Sequence, residues 1–421
     1  MVTDNLPDLV QLVQHLKKQN EEACSQNAWS SNPFLRIVKH HPDWSVPMKE
    51  FVNDVSDDKF VVVQTEKGRH TIKPNLSKRH FLYRGQNKHH KYILSSFLRD
   101  EVPDKSGKVD KQKVRDMHIV ANLKTEEFMS LLRMHPLFMM LDRGICLEPE
   151  RKPVFLNMNY YGLAQHYGFK TGLVDFTTDL DVAAFFACTK NVGYDEYRPV
   201  IDTKNYQIGV LYVHQIVPCQ TFNNIGFSTI GLQLFPRSGA QKGILFNEEK
   251  NYDNLNNLVV PFLFRQDANV SRHYFRKMDG GRKLFPKDSI SKYAKEILDR
   301  KEVPGCVFAE NLYTNQDSLQ QNLDALERMG MKVNWNVRPY LTDEMLGELE
   351  SDLKNGLWEQ FCRQIYFASD SKGEQMMDSL LQLPQNPVYA HYFRKDDYPR
   401  IVSNDYDMYR RAVRNKERKK K

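Results

Sequence analysis

Hydrophobic positions recur at two spacings along this chain, and the switches between them mark out its elements. Tyr160, Leu163, Ala164 and Tyr167 fall three or four apart, as on one face of a helix. Gly168 stands where such a helix ends in a left-handed residue. Val182, Phe185 and Phe186 mark a second helix starting at Thr178 or Asp179, with Thr178 and Asp181 in capping-box spacing. Between the two, Asp175, Phe176 and Thr177 read as a short connection, so the helix pair frames Gln165, His166, Asp175 and Thr177. Extended patterns at 60–64 and 69–72 predict a hairpin about Lys67-Gly68, and Phe81–Arg84 a strand closed by Gly85. Alternation puts Phe81 and Tyr83 on one face of that strand and Leu82 and Arg84 on the other.

The remaining pattern fills in around this centre. Leu9, Val10, Leu12, Val13 and Leu16 predict an N-terminal helix that Pro7 can begin. Helical spacing returns at 93–99 and at 125–140, with Thr125 as a cap and Pro136 as a break, and the charged stretch 100–113 reads as an exposed loop. Strands are predicted at 207–213 and 258–264, and another is fed by the polar, glycine-flanked run 237–246. Ile290, Tyr293, Ala294 and Ile297 predict a further helix, and residues 304 onward are mostly helical and polar, anchored by Trp335 and Trp358. No internal repeat is visible. The chain divides on this reading into a helical lead-in (1–55), a mixed central domain (56–303), a helical C-terminal region (304–409) and a basic tail (410–421).

Composition narrows the class. The 421 residues are 41% hydrophobic and 11% aromatic, enough for a real core. Sixty Lys and Arg stand against fifty-three Asp and Glu, a net charge of +7. From Arg410 to Lys421 there are eight cations and one acid, Glu417, so the tail accounts for the whole excess. Such a tail can hold nucleic acid or an acidic partner, or can simply be solvated. The six cysteines lack CxxC spacing, and neither a charged-then-apolar leader nor a membrane-length apolar run is present. A cytoplasmic protein with no membrane partner is the expectation.

Several chemistries lack their motifs in this chain. There is no Walker loop, no GxGxxG and no HExxH. Gly226–Gly231 approaches a nucleophile elbow but has the wrong spacing, and the adjacent pairs His40-His41 and His89-His90 point apart, so no metal site is predicted. What remains is polar and anion-binding. An always-charged guanidinium at Arg84, at the mouth of a core, needs an anion or a carboxylate.

Five motifs then occur in a telling order: Tyr83-Arg84-Gly85-Gln86, Leu94–Arg99, Leu163–Gly168, Leu173–Thr177 and Ala240–Gly243. Together they resemble the FRG domain, named for its aromatic-Arg-Gly motif and found mostly in bacteria and their viruses. Phe176 stands where that family usually has tryptophan and Gly172 where it has a basic residue. A weaker resemblance is to the arginine class of ADP-ribosyltransferases. It implies an α+β fold with a mixed sheet core flanked by helices, here with a mostly helical C-terminal appendage.

That second resemblance also implies roles. Arg84 would clamp an anion, Thr177 would position through its hydroxyl, Gln241 would contact ribose and Asp175 would be the acid. Tyr83, Gly85, Gln86, Gln165 and His166 would line the pocket, NAD would be the substrate without a metal, and bacterial conflict with phage would be the setting. Where those enzymes carry glutamate this chain has Gln241 or Gly243, a neutral position that stabilises a developing cation less well, and Asp175, Glu248 or Glu249 are the substitutes at hand. Two other readings use the same residues: a module that binds a nucleotide, nucleic acid or protein without turnover, and a buried network of Gln165, His166, Asp175 and Gln241 that only fixes the fold.

Overall fold

A computed structural model describes residues 6–25, 60–64, 70–74, 81–101, 109–143, 158–204, 207–215, 227–230, 233–247, 252–314, 319–335, 343–365 and 371–383. In chain order the first elements are α1 (Leu9–Ser25), β1 (Phe60–Gln64), β2 (His70–Pro74) and β3 (Phe81–Gln86). Then come α2 (Lys111–Arg133), α3 (Pro136–Arg143), α4 (Tyr160–His166), β4 (Leu173–Thr177) and α5 (Leu180–Cys188). The hairpin β5 (Thr189–Gly193) and β6 (Glu196–Pro199) leads to β7 (Ile208–Gln215), β8 (Phe227–Thr229), α6 (Arg237–Gln241) and β9 (Gly243–Asn247). Next are α7 (Tyr252–Leu258), β10 (Val260–Arg265), α8 (Ala268–Lys277) and α9 (Ser289–Asp299). Beyond them lie β11 (Glu302–Pro304), α10 (Gly305–Thr314), α11 (Leu319–Arg328) and β12 (Lys332–Asn334). The described chain ends with α12 (Asp343–Lys354), α13 (Leu357–Arg363) and α14 (Ser371–Gln382).

Six strands make the central sheet, in the order β10-β7-β3-β4-β9-β8. Every pairing in it is antiparallel, where the sequence suggests a mixed sheet. Strict alternation along the strands builds a core on each face. Leu82, Val174, Phe176, Val210, Tyr212, Ile244 and Phe246 share one cluster, covered by Ile93 and by Leu255 of α7. On the other face Tyr83, Leu211 and Val213 meet α1 and α5 through Leu9, Leu12, Leu16, Leu180, Ala183 and Ala187. Leu173 and Leu245, further along that same face, meet α2, α3, α4 and α9. Two groups of helices thus share one face of the sheet.

α5 sits at the centre and is apolar nearly all round, with seven of its nine residues buried, because sheet and helices enclose it. Its start is capped by Asp179, whose side chain accepts from the amides of Asp181 and Val182; Thr178, the alternative start, is buried instead. Lys17 of α1 and Lys277 of α8 both reach Asp181, at 3.1 and 2.9 Å, and fasten their helices to the same end.

Several sequence expectations change. Asp175 to Thr177 is the end of a central strand, not a connection, since both flanks of β4 are paired. Thr125 caps nothing: α2 begins fourteen residues earlier at Lys111, capped by Asp110, and Thr125 is buried mid-helix with its hydroxyl on the Lys170 carbonyl. The expected 93–99 helix is a single 3-10 turn, Leu98–Glu101. The described chain after 304 is mostly helical, with the one short strand β12, yet it is no separate layer. Trp358 and Phe361 enter the cluster of α4 and α9, and Val307, Phe308 and Leu326 pack on Ile119 and Leu123 of α2. The boundary at 303/304 falls within β11. The Lys67-Gly68 turn, His40-His41, Glu248, Glu249 and the tail 410–421 lie outside the described residues. Among the described residues no helix is long and apolar enough to cross a membrane.

Candidate functional site

The site begins with how closely β3 approaches α5. A Cβ on Gly85 would lie 1.8 Å from the Ala183 carbonyl oxygen and 2.7 Å from the Ala187 nitrogen, so only glycine lets strand and helix meet. Tyr83, one pleat earlier, is buried against the same helix. The aromatic and the glycine of the motif therefore seat β3 on α5, and Arg84 between them points to the opposite face. Every residue of β3 is in register with β7, and every residue of β4 with β9. Between β3 and β4, only Tyr83 and Thr177 pair. Past that pair the two strands part, and Arg84 Nη1 crosses the opening to donate to the Asp175 carbonyl at 2.7 Å.

A cavity of about 310 Å³ opens at this parting. Of the residues picked from sequence, Tyr83, Arg84, Gly85, Gln86, His166, Asp175, Thr177 and Gln241 all line it. Gln165 stands behind the wall: its Nε2 donates to Asp175 Oδ2 at 2.8 Å. The Thr171 hydroxyl donates to Gln165 Oε1 and accepts from the Leu173 amide, which fixes which end of the Gln165 side chain faces the carboxylate. Asp175 Oδ1 is buried and makes no hydrogen bond among the described residues. Among the described residues Asp175 is the one carboxylate lining the cavity, which the guanidinium groups of Arg84 and Arg99 also line.

Thr177 and Gln241 hold main chain. The Thr177 hydroxyl donates to the Gln241 carbonyl at 2.7 Å and accepts from the Asp179 amide at 3.0 Å. Gln241 Nε2 donates to the Leu284 carbonyl at 3.1 Å, while Lys242, in the left-handed region at φ 46, turns the chain into β9. His166 is buried, and burial pushes its pKa below the ordinary histidine value although Asp175 and Gln241 pull the other way. It is neutral at pH 7.

Other parts of the site escape sequence reading. The β5–β6 hairpin brings Asn191 and Tyr197 to the cavity, and α5 supplies Phe186, with the two rings 5.8 Å apart. Burial pushes the Tyr197 phenol up to about 12, so it stays a neutral ring. His90 and Arg99 come from the segment after β3. Behind the walls lies Arg237, 1% exposed, paired with both oxygens of Asp195 and bonded to Ser291 Oγ at 2.8 Å. Its guanidinium lies 4.3 Å from the Tyr167 ring centroid, and Nη1 reaches the His166 carbonyl at 3.4 Å. This one side chain joins the hairpin tip, α6 and the end of α4. Its chain position beside Gly239 gives no hint of that, because every partner is distant in sequence.

The family model for the FRG domain matches residues 79–196. The chain carries an FRG domain. The matched span contains Tyr83–Gln86, Leu94–Arg99, Leu163–Gly168 and Leu173–Thr177, whereas the run Ala240–Gly243 lies beyond it. Both strands flanking the opening, β3 and β4, and the helix α5 behind them thus belong to the FRG domain. No curated protein and no solved structure matches the chain. Among the described residues, no group of three or more His, Cys, Asp or Glu is placed to hold a metal ion.

Proposed function

We propose that the FRG domain binds NAD or a related dinucleotide in this cleft and breaks its nicotinamide–ribose bond, releasing ADP-ribose or passing it to an acceptor. The observation that carries the reading is the Asp175 carboxylate, held by Gln165 at Oδ2 and the one acid, among the described residues, lining a cavity that two guanidinium groups also line. When the C1′–N bond breaks, its electron pair leaves with nicotinamide and positive charge develops on the ribosyl ring. A carboxylate fixed beside that ring stabilises the charge without reorganising. Arg84 and Arg99 suit the pyrophosphate, Phe186 and Tyr197 a flat heterocycle, and the volume lies in the range of ligand pockets. Water or an acceptor nucleophile then takes the ribosyl carbon and gives up a proton.

The test is NAD consumption by purified protein, alone and with cell lysate, beside Arg84→Ala and Asp175→Asn. Both variants should stay folded and lose on the order of 100-fold or more in turnover, the usual cost of removing a charged stabiliser. Absence of NAD binding to folded wild-type protein in titration calorimetry would end the proposal. A second reading, binding without turnover, is favoured by the engagement of Thr177 and Gln241 with main chain, with Asp175 the single acid at the cleft among the described residues. NAD bound but intact, with no labelled product in lysate, would select it.

A further inference from the structure

The residues that lead out of the cleft carry a charge pattern that the dinucleotide reading does not use. From Arg84 to Arg99 the chain holds Arg84, Lys88, Lys91 and Arg99, with His89 and His90 among them, and not one Asp or Glu. Lys88, His89, His90 and Lys91 are exposed in succession, and so is Arg99. Their closeness in space shows at His90, whose pKa is lowered by burial and then by the charges of Lys88, His89 and Arg99. His90, Arg99 and Asn87 line the cleft itself, so the strip runs into the cavity rather than past it. The end of the strip also holds Tyr92, a large apolar side chain 39% exposed, with Lys91 Nζ 4.8 Å from its ring centroid.

We propose that this strip, Lys88 to Tyr92 together with Arg99, is a docking surface for single-stranded nucleic acid that delivers one nucleotide to the cleft. A run of cations without acids neutralises backbone phosphates, and an exposed ring set beside a cation is a platform on which an unpaired base can stack. A lipid surface fits less well, because only four large hydrophobics are exposed among the described residues, Tyr92, Val192, Ile201 and Val260, and Tyr92 is the one that belongs to the strip. An acidic peptide would use the charge but leave the ring and the aromatic pair Phe186 and Tyr197 without a partner. The segment is held firmly enough to present its charges. Ser96 Oγ donates to the Thr171 carbonyl at 3.0 Å and accepts from the Thr171 amide at 2.8 Å, and Asn87 Nδ2 donates to the Thr189 carbonyl at 2.6 Å.

The experiment is fluorescence anisotropy of the full chain with a labelled oligothymidylate or oligouridylate of about twelve nucleotides, a length within the known site sizes of single-strand binders. It is run across salt concentrations and compared with Lys88→Ala/Lys91→Ala and with Tyr92→Ala. Each lost phosphate contact lowers the slope of log affinity against log salt by about 0.7 on a single strand, so the double variant should lose about 1.4 in slope and roughly tenfold or more in affinity. Tyr92→Ala should weaken binding about fivefold or more with its slope unchanged, and should leave binding to a duplex of equal length unaffected, since paired bases cannot stack on it. The C-terminal basic tail is the same in every protein compared, so its contribution cancels. Equal binding by all three proteins would overturn the proposal. So would dependence on these residues seen only with phosphatidylserine vesicles or polyglutamate. The assay requires no turnover, so its failure leaves the NAD reading standing, and the reverse also holds.

Discussion

At the scale of single residues, Gly85 and its neighbour Arg84 separate folding from function within one motif. With the Ala183 oxygen 1.8 Å from where a Cβ would stand, Gly85→Ala must push β3 off a buried helix. Overpacking of this kind costs about 1–3 kcal/mol or more, and here it meets backbone rather than a side chain that could swing away. The expected outcome is a clear fall in melting temperature, measured by circular dichroism, and impaired soluble expression. Arg84→Ala should leave the melt within a few degrees of wild type while ligand binding is lost. Gln165→Leu makes the companion test of the carboxylate. It removes the donor to Asp175 Oδ2 without touching the cleft wall, so dinucleotide affinity should fall while the melt changes little. A variant that unfolds instead would mark the Gln165–Asp175 pair as a fold-fixing network. Residue types were legible at this scale, and their partners were not. Arg84, Asp175 and Gln165 declare themselves in sequence by chemistry that wants a partner. That Thr177 would be engaged by the Gln241 carbonyl, sixty-four positions away, depends on a register that no local pattern encodes.

At the scale of elements, the local signals that held were stop and start signals. Gly168, at φ 85, closes the turn after α4 as its place in the pattern suggests, and Pro136 begins α3. β4 was missed because it is only five residues long and carries Asp175 and Thr177 on the cleft side, so its alternation reads as polar. The charged start of α2 was read as loop for a similar reason: its apolar face, Ile119 to Leu132, is recognisable only from its second half onward. Between α2 and α3 stands His135, 1% exposed, whose Nδ1 accepts from the Leu137 amide at 3.2 Å and whose ring meets Phe138 and Phe235 edge-on. Burial drives its pKa down to about 3. An unfolded histidine takes a proton near pH 6.5, which the native ring refuses until the pH is far lower. Below pH 6.5 the unfolded chain therefore binds more protons, and stability falls as pH falls. From pH 6.5 to 5 the loss from this group is about 2 kcal/mol. Urea melts across that range should show a steeper decline for wild type than for His135→Asn, which keeps an acceptor at the start of α3 but cannot take up a proton. The variant should be less stable at pH 7, having lost the ring contacts. Parallel declines would mean the proton goes elsewhere.

At the scale of the whole molecule, the decisive feature is that the C-terminal helices complete cores begun far earlier in the chain. Asp116, buried in α2, takes both Arg328 Nε at 2.6 Å and Nη2 at 2.9 Å, so α11 is clasped to α2 by a two-pronged ion pair. Trp358, 4% exposed, donates from Nε1 to the Leu380 carbonyl at 2.8 Å and packs in the cluster that holds Leu163 of α4 and Tyr167 just after it. β11 pairs in parallel with β12, thirty positions on, and the Phe60 amide donates to the Gln364 carbonyl at 2.8 Å. Sequence suggests an appendage because these helices are polar on most faces, and an amphipathic helix shows its buried stripe without showing whose core it enters. Ending the chain at residue 303 would cut β11, leave Asp116 without its arginine and uncover Ile119, Leu123 and the apolar cluster that Trp358 and Phe361 of α13 help to fill. Losing the guanidinium removes both of its hydrogen bonds to the Asp116 carboxylate, and the uncovered apolar area adds to the loss. Residues 1–303 alone should therefore fail to give a cooperative melt and should bind a hydrophobic dye, although they contain all of the span 79–196 that matches the FRG domain. If that fragment instead melts cooperatively and still binds dinucleotide, the helices after 304 are not required to hold the cleft, and its geometry rests on α5 and the sheet alone.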